Sequence, residues 1–456
     1  MSTSSGGGLR RALGSWHLWG IGVGLVISGE YFGWNYGWGE AGTIGFLIAT
    51  LLITVLYTTF VFSFAELSTA IPHAGGPFAF AHRALGPFGG LIAGYATLVE
   101  FVFAPPAIAY ALGGYVHFLF PQISVMTIAI GSYVVFVGIN LLGVKQAAAF
   151  ELFVTVVAII ELLIFMGVVG PHFSTANFMA DPMPHGIGGI FAAIPFAIWF
   201  YLAIEGLAMA AEEAHEPKRT IPKGFIAAIA TLVILALGVM FIAGGVGDWH
   251  QLSDKDYPLP AAMAMAVGKD SGWVHMLVGI GLFGLIASFH GIIIGYSRQM
   301  FALARAGYLP GFLAKVHPRF QTPHWALIAG GVIGIIALYS GKTDELITMA
   351  AIGAVVMYII SMISLFVLRK TAPEMHRPYK VPFYPVFPAI AVGLSILSLV
   401  AMVYYNLVIS GIFAALFAVA LVYYLLTHGQ RQGQGIELSE ADIPPMEAAL
   451  ARGDVD

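Results

Sequence analysis

Charged residues in this 456-residue chain form short clusters that are separated by long, uncharged, apolar runs. Only 10% of the residues are charged and 59% are hydrophobic, whereas a typical soluble domain carries about 25% charged residues. A soluble protein with an oversized core would need charges along every helix, which this pattern does not provide. The short, alternating strands of a membrane β-barrel are not seen either. The sequence therefore predicts an all-α membrane protein.

An α-helix needs roughly 20 mostly apolar residues to cross a bilayer core about 30 Å thick, and the runs predict about 12 such helices. We expect an N-terminal segment at 1–15, a transmembrane domain at 16–428 and a C-terminal tail at 429–456. The predicted spans are 16–37, 43–70, 87–117, 124–142, 150–170, 187–211, 222–246, 273–297, 324–341, 345–368, 384–405 and 408–428.

The distribution of lysine and arginine predicts the orientation, because cytoplasmic loops of membrane proteins are enriched in both. With the N-terminus inside, only three of the 20 Lys and Arg residues fall outside: Lys255, Lys269 and Lys342. We therefore expect a multi-pass protein of the cell membrane with both termini in the cytoplasm. No small-residue cleavage site follows the first apolar run, so we expect this run to be a retained helix and not a signal peptide.

Two predicted spans contain segments that favour interrupted helices. The segment at 20–29, GIGVGLVISG, is rich in glycine, which weakens a helix or allows close helix packing. The segment at 195–206, PFAIWFYLAIEG, contains a proline, a glycine and three adjacent aromatic residues. Irregular backbone at membrane depth is tolerated only around a cavity or substrate. Interruptions in corresponding halves of a chain point to a transporter with a site near the membrane midplane.

Five glutamates lie within predicted spans, and we expect no Lys or Arg at comparable depth: Glu30, Glu66, Glu100, Glu161 and Glu205. Buried carboxyl groups without cationic partners either stay protonated or await a cation, which is a proton, a metal ion or an organic amine. For Glu66 and Glu161, a neutral, hydrogen-bonded state is an equal alternative. Aromatic side chains near the others suit an ammonium group through cation–π attraction.

Other chemistries have little support in the sequence. The chain has no cysteine, no GxxxxGK[ST] phosphate-binding loop, no GxSxG motif and no paired HxxH or HxxxH arrangement. We therefore expect no enzyme activity, no catalytic residues, no cofactor, no bound metal and no nucleic-acid partner. His290, inside the eighth span, favours a hydrogen-bonded packing role, with proton coupling as the alternative.

Three loop motifs and two helical segments carry a family resemblance. The chain resembles the amino acid–polyamine–organocation transporters through AIPHAGGPFAFAHRALGPFGG (70–90), AEEAHEPKRTIPKG (211–224) and SRQMFALARAGYLP (297–310). Within that family it is most similar to the ethanolamine permeases, through ISGEYFGWNYGWG (27–39) and ATLVEFVFAPPAIA (96–109). The resemblance implies a 5+5 inverted repeat, helices 1–5 and 6–10, followed by two C-terminal helices.

The same resemblance implies a substrate site between the first and sixth helices. The Gly-Ser-Gly motif of the family falls on Ile27, Ser28 and Gly29, whose backbone amides usually receive a substrate carboxylate. Glu30 follows, where the family mostly has an apolar residue. A carboxylate at this position repels the carboxylate of an amino acid and attracts an amine.

In the sixth helix, the resemblance places the family's aromatic gate on Tyr201, its small residue on Ala203 and its glutamate on Glu205. Trp199 falls where some cation-transporting relatives place a stacking tryptophan. Glu100 is a further candidate for the charge of the site.

The coupling ion, H⁺ or Na⁺, is left open by the resemblance. Ala158 stands where proton-coupled relatives often have lysine, with Glu161 one turn away. Of the paired hydroxyl groups used by sodium-coupled relatives, only Ser288 is present, next to Ala287.

These features predict a secondary transporter in the lipid bilayer that carries ethanolamine or a similar small primary amine by alternating access, as a symporter or a uniporter. An amino-acid or polyamine carrier of the same fold is the first alternative. A membrane channel or sensor is the alternative from another class.

Overall fold

The computed structural model describes residues 13–73, 75–143, 148–340 and 342–434, and the architecture of this part is helical. Four short 3₁₀ segments, Gly170–His172, Ile204–Glu213, Trp249–Gln251 and Gly311–Ala314, accompany the α-helices. The α-helices of the described residues are α1 (Ser15–Val26), α2 (Ser28–Tyr31), α3 (Tyr36–Ala70), α4 (Pro77–Leu119), α5 (Val125–Leu141), α6 (Ala148–Val169), α7 (Thr175–Phe178), α8 (Gly186–Ala192), α9 (Ile194–Trp199), α10 (Pro217–Gly245), α11 (Pro258–Val267), α12 (Gly272–Arg305), α13 (His324–Leu338), α14 (Thr343–Thr371), α15 (Val386–Tyr405) and α16 (Leu407–Gln434).

The prediction of an all-α membrane protein is confirmed. Within the described residues, nine helical segments are long and apolar enough to cross a membrane, and three shorter apolar helices, α5, α11 and α13, accompany them. Gly42 in α3 and Gly86 in α4 form kinks, with positive φ angles of 68° and 75°. The predicted spans at 43–70 and 87–117 begin immediately after these two glycines. Positive φ is accessible to glycine at little cost. The helix α11 was not among the predicted spans.

The ends of the chain extend only partly into the described structure. Most of the predicted N-terminal segment (1–15) and of the C-terminal tail (429–456) lies outside the described residues. The last helix, α16, continues to Gln434, six residues beyond the predicted end of the span at 428.

The helices pack as two sets of five membrane crossings whose contacts correspond. The first set consists of α1–α2, α3, α4, α5 and α6, and the second of α8–α9, α10, α12, α13 and α14. In the first set, α1 packs on α6 and on α10; in the second, the counterpart α8–α9 region packs on α14 and on α3. The pair α4–α5 likewise corresponds to α12–α13, and α4–α14 corresponds to α12–α6. Five is an odd number of crossings, so the second set enters from the opposite side and the repeat is inverted. The helices α15 and α16 follow this core in the chain, and α7 and α11 lie in connections within it.

One buried glutamate contradicts the expectation that the intramembrane carboxyl groups lack cationic partners. Glu66, near the end of α3, accepts a hydrogen bond from Arg369 Nη2 at 2.7 Å and lies 3.3 Å from Arg377 Nε. The backbone N–H of Val381 donates to the same carboxyl group at 2.8 Å. The prediction was wrong because Arg369 and Arg377 follow the tenth predicted span. They are far from Glu66 in the chain, so the sequence does not show that they contact the end of α3.

This cluster also closes the end of α14. Arg377 is only 5% exposed, and its guanidinium donates to the carbonyl oxygens of Leu368 and Ala372 at 2.8 and 3.0 Å. These carbonyls lie at the end of the helix, where few backbone donors remain; the Leu368 oxygen also accepts from the Ala372 N–H at 3.0 Å. Burial lowers the pKa of Arg377, whereas the Glu66 carboxylate favours its charged form. Glu66 and the two arginines therefore join α3, α14 and the following loop.

We expect Glu66→Gln to lower the free energy of unfolding by about 3–5 kcal/mol, because it leaves a buried guanidinium without its counter-charge. Unfolding in mixed detergent micelles measures the change. Glu374→Gln is the matched control, since Glu374 is exposed in the same loop. Equal stability of the two variants would contradict the structural role of the cluster.

At the opposite end of the bundle, a loop docks onto the start of α3. The Asn35 side-chain amide donates to the carbonyl oxygens of Leu252 and Lys255 at 2.7 and 2.9 Å. The Tyr36 hydroxyl donates to Asp256 Oδ1 at 2.7 Å. Burial raises the pKa of Asp256. The docked loop therefore holds a carboxyl group that binds its proton more tightly than a solvated aspartate does.

Lowering the pH is expected to strengthen this docking, because the docked state binds the Asp256 proton more tightly than the undocked state. Amide hydrogen exchange of residues 249–257, expressed as protection factors, should show more protection as the pH falls through the raised pKa. Asp256→Asn removes the charge and keeps an oxygen acceptor for Tyr36. It should give high protection at neutral pH with little pH dependence. Greater protection of the wild-type loop at high pH would contradict this account.

Candidate functional site

A side chain from α12 bridges the break in the first interrupted helix. The Ser288 hydroxyl donates to the Gly24 carbonyl oxygen at 2.7 Å and accepts from the Ser28 N–H at 3.0 Å. These two backbone groups would bond to each other in an uninterrupted α-helix. The inserted hydroxyl satisfies both and separates α1 from α2 at Ile27. Ser288 is therefore used in holding the backbone of the candidate site.

A fuller break follows at residues 32–35. Phe32 is extended, with φ −163° and ψ 174°, and Gly33 has a positive φ of 92°. The Asn35 side chain accepts from the Gly33 N–H at 3.0 Å, and the Trp34 indole donates to the Glu30 carbonyl oxygen at 3.1 Å. Side chains therefore replace the missing helical hydrogen bonds, as a membrane interior requires.

The glycines that prompted the prediction of a break at 20–29 have another role. Gly20, Gly22 and Gly24 lie inside the continuous helix α1. A Cβ on Gly22 would lie 2.7 Å from Leu207 Cδ1, and one on Gly24 would lie 2.5 Å from Glu151 Oε1. These glycines allow close packing, which was the alternative interpretation. The actual interruption starts at the end of the predicted segment and continues beyond it.

The carboxyl group of Glu30 lies between the two breaks of the first helix. Its side chain is fully buried, and neither carboxyl oxygen has a hydrogen-bond partner in the described structure. The Glu30 carboxyl group lies near Tyr31, its neighbour in the chain, and near Tyr201 of the sixth helix. An unpartnered buried carboxyl group is costly unless it is protonated or binds a cation.

The second interrupted helix breaks where the sequence predicts it. The helix α9 ends at Trp199, and the 3₁₀ segment Ile204–Glu213 begins after a four-residue turn. Ala203 adopts the left-handed conformation with φ 75°, which costs a non-glycine residue about 1–3 kcal/mol. Its N–H donates to Glu100 Oε1 at 3.1 Å. Glu100 of α4 therefore stabilises the turn by accepting this hydrogen bond.

The two breaks lie directly against each other. A Cβ on Gly29 would lie only 2.4 Å from the Trp199 carbonyl oxygen, and one on Gly33 would lie 2.4 Å from Trp199 Nε1. The Trp199 ring also contacts Phe32 edge-on, with ring centroids 5.5 Å apart. Trp199 Nε1 has no acceptor in the described structure. The predicted residues Gly29, Glu30 and Trp199 are therefore brought together.

A pair of buried carboxyl groups lies beside the second break. Glu100 and Glu205 face each other, and both are fully buried. Tyr358 of α14 donates to Glu205 Oε2 at 3.3 Å, and its hydroxyl lies 2.8 Å from that of Tyr57. Two adjacent carboxyl groups in a dry interior need a shared proton or a bound cation. This pair is a second place where the site takes up positive charge.

Tyr201 connects the two acidic regions. Its hydroxyl forms a 2.7 Å hydrogen bond with Thr54 of α3, and its ring lies 5.1 Å from that of Tyr57. Tyr57 is hydrogen-bonded to Tyr358 and thereby reaches Glu205. The aromatic position predicted as a gate therefore lies between Glu30 and the carboxyl pair.

The predicted coupling residues separate into two groups. Glu161 of α6 accepts from the Tyr31 hydroxyl at 2.7 Å, and that hydroxyl also lies 3.2 Å from the Ala158 carbonyl oxygen. Glu161 is thus connected to the residue next to Glu30. His290 instead lies 3.2 Å from the Asn140 side chain at the α5–α12 contact. This is a packing position, and a coupling role for either residue remains a prediction.

Several contributors to the site were missed in the sequence. Tyr31, Tyr358 and Thr54 lie in apolar runs and give no local signal, because their roles come from contacts between distant helices. Glu151 of α6, which lies beside Gly24 but outside this site, was not singled out in the sequence either. It stands at the very start of a predicted span, where a charge at a membrane surface is ordinary. In the described part of the chain, no cluster of three His, Cys, Asp or Glu side chains is suited to a metal ion.

The sequence matches the amino acid permease family over residues 17–431. The chain belongs to this family. It is therefore an integral membrane transporter and not an enzyme, and the interrupted helices form part of an amino acid permease fold.

Curated relatives of this permease cover most of its length. It is 31% identical over 393 residues to an uncharacterised transporter of Rhizobium meliloti, covering 83% of each chain. It is 27% identical to a branched-chain amino acid permease of Bacillus subtilis, covering 86% of this chain and 88% of the relative. It is 28% identical to a methylthioribose transporter of the same bacterium, covering 85% and 87%.

We expect Gly29→Ala to destabilise the permease by about 1–3 kcal/mol or more, because the added methyl group has to displace the backbone of the sixth helix. Gly131→Ala is the matched control. It also adds a methyl group to a helical glycine, but nothing lies within 4 Å of the new Cβ. Unfolding of both variants in micelles should show a loss for the first and little change for the second. Similar stabilities would contradict the close contact between the breaks.

Proposed function

We propose that this permease is a secondary active transporter of ethanolamine or a similar small primary amine. The observation that carries the proposal is the Glu30 carboxyl group, which is fully buried at the interrupted first helix and has two oxygens without protein partners. An ammonium group offers three donors and a compensating charge. A zwitterionic amino acid would bring its own carboxylate close to this group.

The backbone around Glu30 supports the same choice. In relatives of the same fold, helix-one amides are expected to receive a substrate carboxylate. Here the N–H of Ser28 is bonded to Ser288 Oγ, and that of Glu30 is bonded to the Ile27 carbonyl oxygen at 3.0 Å. Two backbone amides of this region, those of Ser28 and Glu30, are thus already occupied. The site has a surplus of acceptors, which suits an amine with a hydroxyl group.

The aromatic residues and the carboxyl pair complete the proposed site. Trp199 and Tyr201 would close over the ammonium group, with cation–π attraction of about 0.5–2 kcal/mol per contact. Glu205 and Glu100 would exchange a proton or a cation as the helices rock between outward and inward states. Ile27, Ser28, Gly29 and Ala203 would shape the backbone around the solute. Coupling to H⁺ through Glu161, or to Na⁺ through Ser288, belongs to this proposal.

The lysine and arginine distribution supports placement in the cell membrane with cytoplasmic termini.

An amino-acid carrier of the same fold is the second candidate, and the branched-chain amino acid permease among the relatives favours it. The methylthioribose transporter among the relatives bears the name of a solute other than an amino acid. Family membership is therefore compatible with either substrate class.

Binding of ethanolamine and of alanine to the purified protein, measured by calorimetry, tests the proposal. Ethanolamine should bind and alanine should not. Glu30→Gln should weaken ethanolamine binding about 10- to 100-fold, because hydrogen bonds to a charged group contribute about 1.5–3 kcal/mol. Glu40→Gln, which changes an exposed glutamate of α3, should bind like the wild type. Tighter binding of alanine, or equal affinity for ethanolamine in Glu30→Gln, would reject the proposal.

A further inference from the structure

A cavity of about 170 Å³ lies between the two interruptions and the end of the bundle where α1 begins. It is lined by α1, α4, α6, α12 and the 3₁₀ segment of the sixth helix. Among its lining residues, Phe101 follows Glu100 and Gly206 follows Glu205 in the chain. On this measure a water molecule needs roughly 10–15 Å³. The space therefore accommodates a small solute with some of its water.

The cavity contains a carboxyl group that the site described above does not use. Glu151 of α6 lines it and is only 8% exposed. No described side chain or backbone group of the chain donates a hydrogen bond to it. Unlike Glu30, whose oxygens are sealed by protein, Glu151 faces open space. A nearly buried carboxyl group of this kind is suited to an incoming cation.

The position of Glu151 relates it to the interrupted helix. Its Oε1 is the nearest atom to the position of a Cβ on Gly24, at 2.5 Å, and Thr155 Oγ1 lies 2.8 Å from the same position. Gly24 is the residue whose carbonyl oxygen accepts the Ser288 bridge. Glu151 therefore lies against α1 at Gly24, one helical turn before Ser28 and on the side of the break away from Glu30.

The other charged side chain in the lining is Arg298 at the end of α12. It is exposed, so its guanidinium lies on the solvent-facing side of the cavity. The remaining described lining residues are apolar or glycine: Leu13, Ile21, Leu25, Phe101, Gly206, Met209, Ala210, Gly291, Ile294 and Gly295. The interior of the cavity thus offers one acceptor group within an apolar wall.

We propose that Glu151 forms a second amine-binding station, which takes the ammonium group of the solute after it leaves Glu30 and before it reaches the aqueous phase. This inference rests on the proposed function and adds a site to it. The solute would pass from one carboxyl group to the next across the interruption. A second carboxylate on the path lowers the cost of moving a cation away from the first.

Equilibrium dialysis of radiolabelled ethanolamine against the purified full-length chain tests the station by counting bound solute. The wild type should bind two molecules per chain, and Glu151→Gln should bind one, with the second site weakened at least about tenfold. Glu30→Gln should lose the other site. Ala210→Leu, which fills the cavity without changing a charge, should resemble Glu151→Gln. The exposed variant Glu374→Gln should keep both sites.

The outcomes separate this inference from the proposed function. Two molecules bound to Glu151→Gln would overturn the second station and leave the proposed function standing. A single wild-type site that disappears only in Glu30→Gln would do the same. Unchanged binding in Glu151→Gln with an altered pH dependence of uptake would assign Glu151 to protons and overturn the amine station. No ethanolamine binding to the wild type would overturn the proposed function itself.

Discussion

Backbone groups that leave a helix inside a membrane need partners within the protein, because lipid offers none. Both interruptions of this permease satisfy the requirement with side chains from other helices. Ser288 carries the broken bond between Gly24 and Ser28, and Glu100 holds the N–H of Ala203. The site thus depends on α12 and α4, which are not interrupted at these positions. A broken helix can present its backbone and side chains to a solute only because these two helices, which are continuous at Ser288 and Glu100, support it.

The acidic groups of the interior have different functions that depend on their partners. Glu66 is paired with two arginines and ties together the ends of helices. Glu100 faces Glu205 and holds the turn of the sixth helix. Glu30 has no partner for its carboxyl group within the described residues. Since all these residues are glutamates in apolar runs, their chemistry is decided by the neighbours that the fold brings to each one.

The sequence predicts the helical architecture well, because the length of an apolar run and the charge at its ends are local properties. The proline and glycine at 195–206 predict the break near Trp199, and the family resemblance predicts the proximity of Gly29, Glu30 and Trp199. The sequence does not predict that Arg369 and Arg377 reach Glu66, or that Tyr358 reaches Glu205. These contacts join residues more than 150 positions apart, and no local pattern encodes them. The glycines of α1 were ambiguous for the same reason, since packing and unwinding favour the same residue type.

The Ser288 bridge has a mechanical consequence. In an ordinary helix the bond from Ser28 to Gly24 belongs to a single element, but here each half of it ends on a hydroxyl group from α12. A rotation of α1 relative to α12 would have to break both hydrogen bonds, so α1 and α2 are held to α12 at this level. The last turns of α12 also carry Arg298, which lines the cavity. One hydroxyl group thus joins both sides of the first break to the helix whose far end lines the cavity.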